Sequence, residues 1–98
     1  MFQPHRFSRT ELCWEEFRTC FKDCDHLIIT DIYPAGEKPI PNVSAERLVQ
    51  ECAHSNAIYL AKNESLVDEV QKTLGNADVF VTLGAGDIWK TGEALVDD

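Results

Sequence analysis

The stretch HLIITDIY, residues 26–33, decides the fold. It is a β-branched, apolar run of the length of a buried strand. Two further segments share its character: AIYLA at 57–61 and DVFVTLGA at 78–85. What lies between and around them carries helical punctuation. Cys13, Phe17, Cys20, Phe21 and Cys24 form an amphipathic stripe, and Ser8-Arg9-Thr10-Glu11 fits a capping box, so a first helix is predicted from Ser8 until Asp23–Asp25 ends it. Ser44 caps a second helix reaching about Ser55, with Leu48, Val49 and Cys52 inward. Asn63 caps a third, with Leu66, Val67, Val70 and Leu74 inward and Gly75 at its end. DIWKTGEALV, 87–96, is a last helix capped by Asp87.

Strict alternation of apolar strands with helices predicts an α/β fold. The expected form is a Rossmann-like parallel sheet with helices on both faces, a single domain over residues 1–98. Only Met1 and Phe2 remain to represent any strand leading into the opening loop, so the domain is expected to lack its first helix and strand.

The bulk composition excludes several functions. Hydrophobic residues at 44% and charged residues at 27% suit a soluble globular chain. Seventeen acidic residues against nine basic ones leave a net charge of −8, which argues against a nucleic-acid partner. No apolar run approaches membrane-spanning length and no export signal opens the chain, so no membrane partner is expected. Cys13, Cys20 and Cys24 fall on one predicted helix, with Cys52 apart. That pattern favours reduced core thiols and a cytoplasmic setting over a disulfide framework. Cys20, Cys24 and His26 lack the paired short spacings of a zinc site, and no metal is expected.

Chemistry concentrates at FQPHRFSRT, residues 2–10. Arg6 precedes the first helix and Arg9 falls in its first turn, where cations oppose the helix dipole by about 0.3–1 kcal/mol. A bound anion would resolve that conflict. Two guanidinium groups can grip a carboxylate, and His5 adds a donor. The plain alternative pairs both arginines with Glu11, Glu15 or the surface. TLGAGD, 82–87, has the shape of a phosphate loop but neither the third glycine of a dinucleotide fingerprint nor a Gly-Lys-Ser/Thr. Its glycines are read as serving a tight turn and close packing. Asp31 and Glu37 are available carboxylates, His26 and His54 are read as helix-end or surface groups, and no catalytic nucleophile is indicated.

FQPHRFSRT, DIYPAGEKPIP and LGAGDIWKTGEAL, in that order and spacing, closely resemble the C-terminal domain of the Mur ligase family. Within the family the Pro-His-Arg motif with a second Arg three residues on is specific to the members that join L-alanine to UDP-N-acetylmuramate. The resemblance implies ATP-dependent amide formation in bacterial peptidoglycan synthesis, through an acyl phosphate and with Mg2+. It carries the alanine carboxylate contacts onto His5, Arg6 and Arg9. It also places Tyr33, Pro34, Ala35, Gly36 and Glu37 along the same cleft, with no catalytic residue in this stretch. ATP, Mg2+ and UDP-N-acetylmuramate would be bound mainly by domains absent here, so the chain alone is expected to be inactive. Rival readings are the related ligase that attaches a recycled peptide, and a non-catalytic α/β interaction domain.

Overall fold

The computed structural model describes residues 1–75 and 79–96. Asp78, assigned above to the third strand, lies outside the described residues. The elements run α1 (Phe7–Leu12), α2 (Trp14–Thr19), β1 (Leu27–Thr30), α3 (Ala45–Glu51), β2 (Ala57–Leu60), α4 (Leu66–Leu74) and α5 (Trp89–Val96). β1 and β2 pair in parallel, from Leu27 opposite Ala57 to Thr30 opposite Leu60. This is the predicted α/β, Rossmann-like architecture.

The opening residues take part in the sheet. Phe2 bridges Ile29 on one side and Leu83 on the other, both in parallel. The Phe2 amide donates to Ile28 O at 2.7 Å and Thr30 N donates to Phe2 O at 3.0 Å. On the other side Gln3 N donates to Leu83 O and Leu83 N to Met1 O, each at 2.9 Å. Residues 1–3 are therefore the central rung of a parallel order β2, β1, residues 1–3, residues 81–83. The third predicted strand survives only as this edge contact around Leu83. Val79 and Val81 stay 79% and 56% exposed, with no further strand beyond them among the described residues to complete a ladder.

Strand alternation sends side chains to two cores. Met1 and Ile28 meet Leu66, Val70 and Ile88 on the α4–α5 face. Phe2, Leu27 and Ile29 meet Ala45 and Leu48 on the other face, with Phe17 and Phe21 each 5.0 Å from the Phe2 ring. Each fully buried Ile or Leu contributes about 1.5–3 kcal/mol, so β1, buried at all four positions, anchors both layers.

Several local expectations change. The first helix is two helices broken at Cys13, whose φ of −99° and ψ of 16° leave the helical range. The second of them ends at Thr19, so Cys20 and Cys24 fall beyond it and are exposed rather than in the core, and Cys13 is half-buried. The capping box does not form. Arg6 occupies the N-cap of α1 without a side-chain cap, and the Ser8 hydroxyl donates elsewhere. Asn63 does not cap α4 directly. Its Oδ1 accepts from Ser65 N at 2.9 Å, an Asx turn that delivers Ser65 to the N-cap. The Ser44 cap and the Gly75 stop appear as read: Ser44 Oγ accepts from Arg47 N at 3.1 Å, and Gly75 takes a φ of 56°. Among the described residues no helix is long and apolar enough to cross a membrane.

Since Ser44 supplies the side-chain cap of α3, Ser44→Ala is expected to cost about 1 kcal/mol in urea denaturation. A change below about 0.3 kcal/mol would remove the cap from the account.

Candidate functional site

Ligands of open parallel sheets bind beyond the carboxyl ends of the strands, where neighbouring connections leave in opposite directions. Here that point lies between residues 1–3 and residues 81–83. The chain leaves the first into Pro4, His5 and Arg6, and leaves the second into the 84–86 turn. The loop after β1 joins them: Tyr33 N donates to Pro4 O at 2.9 Å and Arg6 N to Tyr33 O at 2.7 Å. The three stretches singled out in the sequence do gather at one end of the sheet.

Their side chains interlock. The His5 and Tyr33 rings stack at 5.5 Å with 9° between planes. Tyr33 presses on Gly86, where an added Cβ would stand 2.9 Å from Tyr33 Cδ2. At Gly84 it would stand 2.8 Å from Ile88 Cγ2 and 3.2 Å from Gln3 O. These glycines serve close packing, as their sequence context implied. A side chain at either position would therefore meet Ile88 or Tyr33. Lys62 pairs with Asp87 and lies 5.8 Å from the Tyr33 ring centre. That cation pulls the Asp87 carboxyl below its usual range. Asp31 is likewise engaged, accepting from Tyr59 Oη at 2.5 Å and from Lys62 N at 3.0 Å. Burial, followed by this hydrogen bond, pushes the Tyr59 phenol well up. Asp31 and Glu37 are not an acid/base pair: each is committed to its own hydrogen bonds.

Arg6 is the conformational outlier. Its φ of 67° and ψ of 141° fall in a region that side chains rarely occupy, at a cost of about 1–3 kcal/mol. The backbone is held there by its amide on Tyr33 O and by its carbonyl, which accepts from Thr10 N at 3.1 Å and Thr10 Oγ1 at 2.7 Å. Thr10 is fully buried, so the clamp is rigid. Strain maintained by surrounding structure is a mark of a functional residue. No sequence signal announced it, because arginine at positive φ has no signature of its own.

Glu37 settles the charge conflict at α1 in an unforeseen way. Its Oε2 accepts from Ser8 Oγ at 2.6 Å and its Oε1 from Ser8 N at 3.0 Å. The protein thus supplies a carboxylate to the start of the helix. The Ser8 hydroxyl foremost, then the Ser8 amide, hold Glu37 below its ordinary range, with a smaller pull from Arg6. The Tyr33–Glu37 loop is tied to α1 by this contact, Ala35 and Gly36 turning it with φ of 49° and 87°. Pro34, Ala35 and Gly36 are exposed beside it.

Arg6 and Arg9 are both exposed, and neither makes an ion pair among the described residues. Of the plain alternative, pairing with Glu11 or Glu15 is not seen among the described residues, Glu15 pairing with Arg18 at 2.6 Å, while both arginines do lie at the surface. His5 is half-buried, and its Nδ1 is enclosed without a hydrogen-bond partner, as is Oε1 of the neighbouring, buried Gln3. Polar atoms so placed invite a water or a ligand. Neither of two large cavities, one beside Met1 and one between α4 and α5, is lined by His5, Arg6 or Arg9. The arginines stand on an open surface. Among the described residues no three His, Cys, Asp or Glu side chains are grouped to hold a metal.

Two predictions follow from this geometry. Arg6→Gly relieves the strained dihedrals and is expected to raise unfolding stability by about 1 kcal/mol, net of glycine's entropy cost. A lowered urea midpoint would contradict it. Glu37 has a lowered folded pKa, so its contribution is complete above its ordinary value of 4.5 and is lost as pH falls through the lower folded value. The melting temperature of the wild type is expected to exceed that of Glu37→Gln at neutral pH, with the two converging in strong acid. A gap that persists in acid would show that the charge is not responsible.

No family model matches the chain. Curated relatives do. The chain is 50% identical over 91 residues to UDP-N-acetylmuramate–L-alanine ligase of Bdellovibrio bacteriovorus, covering 93% of this chain and 20% of that protein. It is 50% identical over 98 residues to the ligase of the same name from Trichlorobacter lovleyi, covering 97% and 22%. The Geobacter sulfurreducens ligase gives 50% over 98 residues, covering 97% and 21%. The chain spans about a fifth of the length of the curated relatives it matches. The arrangement of His5, Arg6 and Arg9 after the central rung therefore sits in a chain that is similar, over nearly all its own length, to one fifth of a UDP-N-acetylmuramate–L-alanine ligase.

Proposed function

We propose that this chain is the amino-acid-holding part, the C-terminal domain, of a bacterial, cytoplasmic ligase that joins L-alanine to UDP-N-acetylmuramate. The observation that carries the reading is Arg6: an exposed guanidinium without an ion-pair partner among the described residues, on a backbone clamped in a costly conformation at the sheet's switch point. The names of the relatives support the substrate pair.

The proposed role is positional. Arg6 and Arg9, one turn apart, offer charge-assisted donors to the alanine carboxylate. His5, fixed by its stack on Tyr33, supplies a third contact. Pinning the carboxylate aims the alanine amine at the activated carboxyl of the muramyl partner and turns a bimolecular encounter into an oriented one. Tyr33, Pro34, Ala35, Gly36 and Glu37 border this position. Glu37 keeps the loop against α1 and places a negative charge within electrostatic reach of Arg6. ATP, Mg2+ and the nucleotide sugar are assigned to parts of the whole enzyme beyond these residues.

Arg6→Ala and Arg9→Ala, introduced at the matching positions of a full-length ligase, are expected to raise the alanine KM about tenfold or more each, since a charge-assisted contact is worth about 1.5–3 kcal/mol. The KM for ATP should stay unchanged, and the 98-residue chain alone should yield no product. An unaltered alanine KM in both variants would refute the role.

A further inference from the structure

The loop after β2 supplies none of the residues assigned to the carboxylate grip, yet it reaches that grip. Its base is fixed through one aspartate. Lys62 N donates to Asp31 Oδ2 at 3.0 Å, and Tyr59 Oη donates to Asp31 Oδ1 at 2.5 Å. The Asp31 carbonyl in turn accepts from Gln3 Nε2 at 3.3 Å. Asp31 thus binds together the carboxyl ends of β2, β1 and residues 1–3.

From this base the Lys62 side chain makes two contacts. Its ammonium pairs with Asp87, just after the 84–86 turn, and lies 5.8 Å from the centre of the Tyr33 ring. That distance is within the range of cation–π attraction. Hydrogen bonds to Pro4 and Arg6 place the Tyr33 backbone, but they leave the ring free to turn about its side-chain bonds. Three neighbours confine the ring: the parallel His5 imidazole at 5.5 Å, Gly86 and Lys62. A partly exposed lysine held by the ring alone would keep wide rotamer freedom. Asp87 removes much of it, because the ammonium then serves the carboxylate and the ring at once.

We infer that Lys62 and Asp87 are positioning residues of the carboxylate grip: as an ion pair they hold Tyr33 against His5 and so fix the imidazole beside Arg6. The inference rests on the alanine-holding reading and extends it to two side chains which that reading leaves out. Neither side chain needs to touch the ligand. The sign of the charges separates this role from a plain electrostatic one. Acting through its field, a lysine would draw a carboxylate in and an aspartate would repel it. Acting through the ring, both partners favour binding.

The test titrates the 98-residue chain with L-alanine and with L-alaninamide, and follows the His5 ring-proton resonances, which feel the Tyr33 ring current. In the wild type, shifts at His5, Arg6 and Arg9 with alanine alone are the outcome that the underlying reading requires. Lys62→Met removes a positive charge and Asp87→Asn a negative one, at side chains exposed enough for the core to be spared. Both substitutions are expected to move the His5 resonances of the free chain toward those of an unstacked imidazole. Both are expected to raise the alanine Kd, by about two- to fivefold. Lys62→Arg, which keeps a cation for the carboxylate and the ring, should retain the wild-type resonances and Kd. Opposite changes of Kd in Lys62→Met and Asp87→Asn would reveal a field effect alone. Unchanged His5 resonances in both would show that the ring is held without the pair. Either result overturns the inference and leaves the alanine-holding reading in place, whereas a wild type without carboxylate-dependent shifts overturns both.

Discussion

The insertion of residues 1–3 between β1 and residues 81–83 is the constraint from which the rest of the structure follows. A parallel rung bonded on both sides has no freedom of register, because slipping by one residue would exchange its two faces. Phe2 would leave the cluster of Phe17, Phe21 and Leu48, and Met1 would leave that of Val70 and Ile88. Once that register is fixed, Pro4, His5 and Arg6 must emerge at the switch point, beside the 84–86 turn and under the Tyr33 loop. The position of the proposed carboxylate grip is set by sheet pairing before any of its own side chains interact.

The site combines rigidity below with openness above. Thr10, Gln3 and Thr30 are buried beneath it, and the Thr10 hydroxyl closes the clamp on Arg6 O. The His5–Tyr33 stack and the close approach of Tyr33 to Gly86 leave little room for movement. The groups that would meet a ligand, Arg6 and Arg9, are by contrast solvated and lack ion-pair partners among the described residues. A preorganised backbone carrying exposed charge suits a small anionic ligand whose orientation matters more than the strength with which it is held.

Most of the fold was legible in the sequence because it rests on periodicity. The apolar run at 26–33 gives β1 over Leu27–Thr30, the strand expected at 57–61 gives β2 over Ala57–Leu60, and the Ser44 cap and the Gly75 stop appear as read, because all act through near neighbours in the chain. What misled was also local. Ser8 has the sequence of a capping box, yet α1 begins at Phe7 with Arg6 at its N-cap, and a carboxylate 29 residues away takes the Ser8 amide that the box would have used. The cysteine stripe has helical spacing, but α2 ends at Thr19, so Cys20 and Cys24 fall beyond it and are exposed, while Phe17 and Phe21 keep the core face. The candidate site was legible as a charge anomaly, basic residues at a helix start in an acidic chain. The strain at Arg6, the Lys62–Asp87 pair and the Asp31–Tyr59 contact were not, because all depend on strands brought together from distant parts of the chain.

The central claim is that His5, Arg6 and Arg9 together hold the carboxylate of a small amino acid. The most direct test follows the arginine side-chain and imidazole resonances of this chain by NMR, during titration with L-alanine and, separately, with L-alaninamide, which lacks the carboxylate. The account predicts saturable shifts at His5, Arg6 and Arg9 with alanine alone. Equal shifts with both compounds, or shifts confined to other residues, would contradict it.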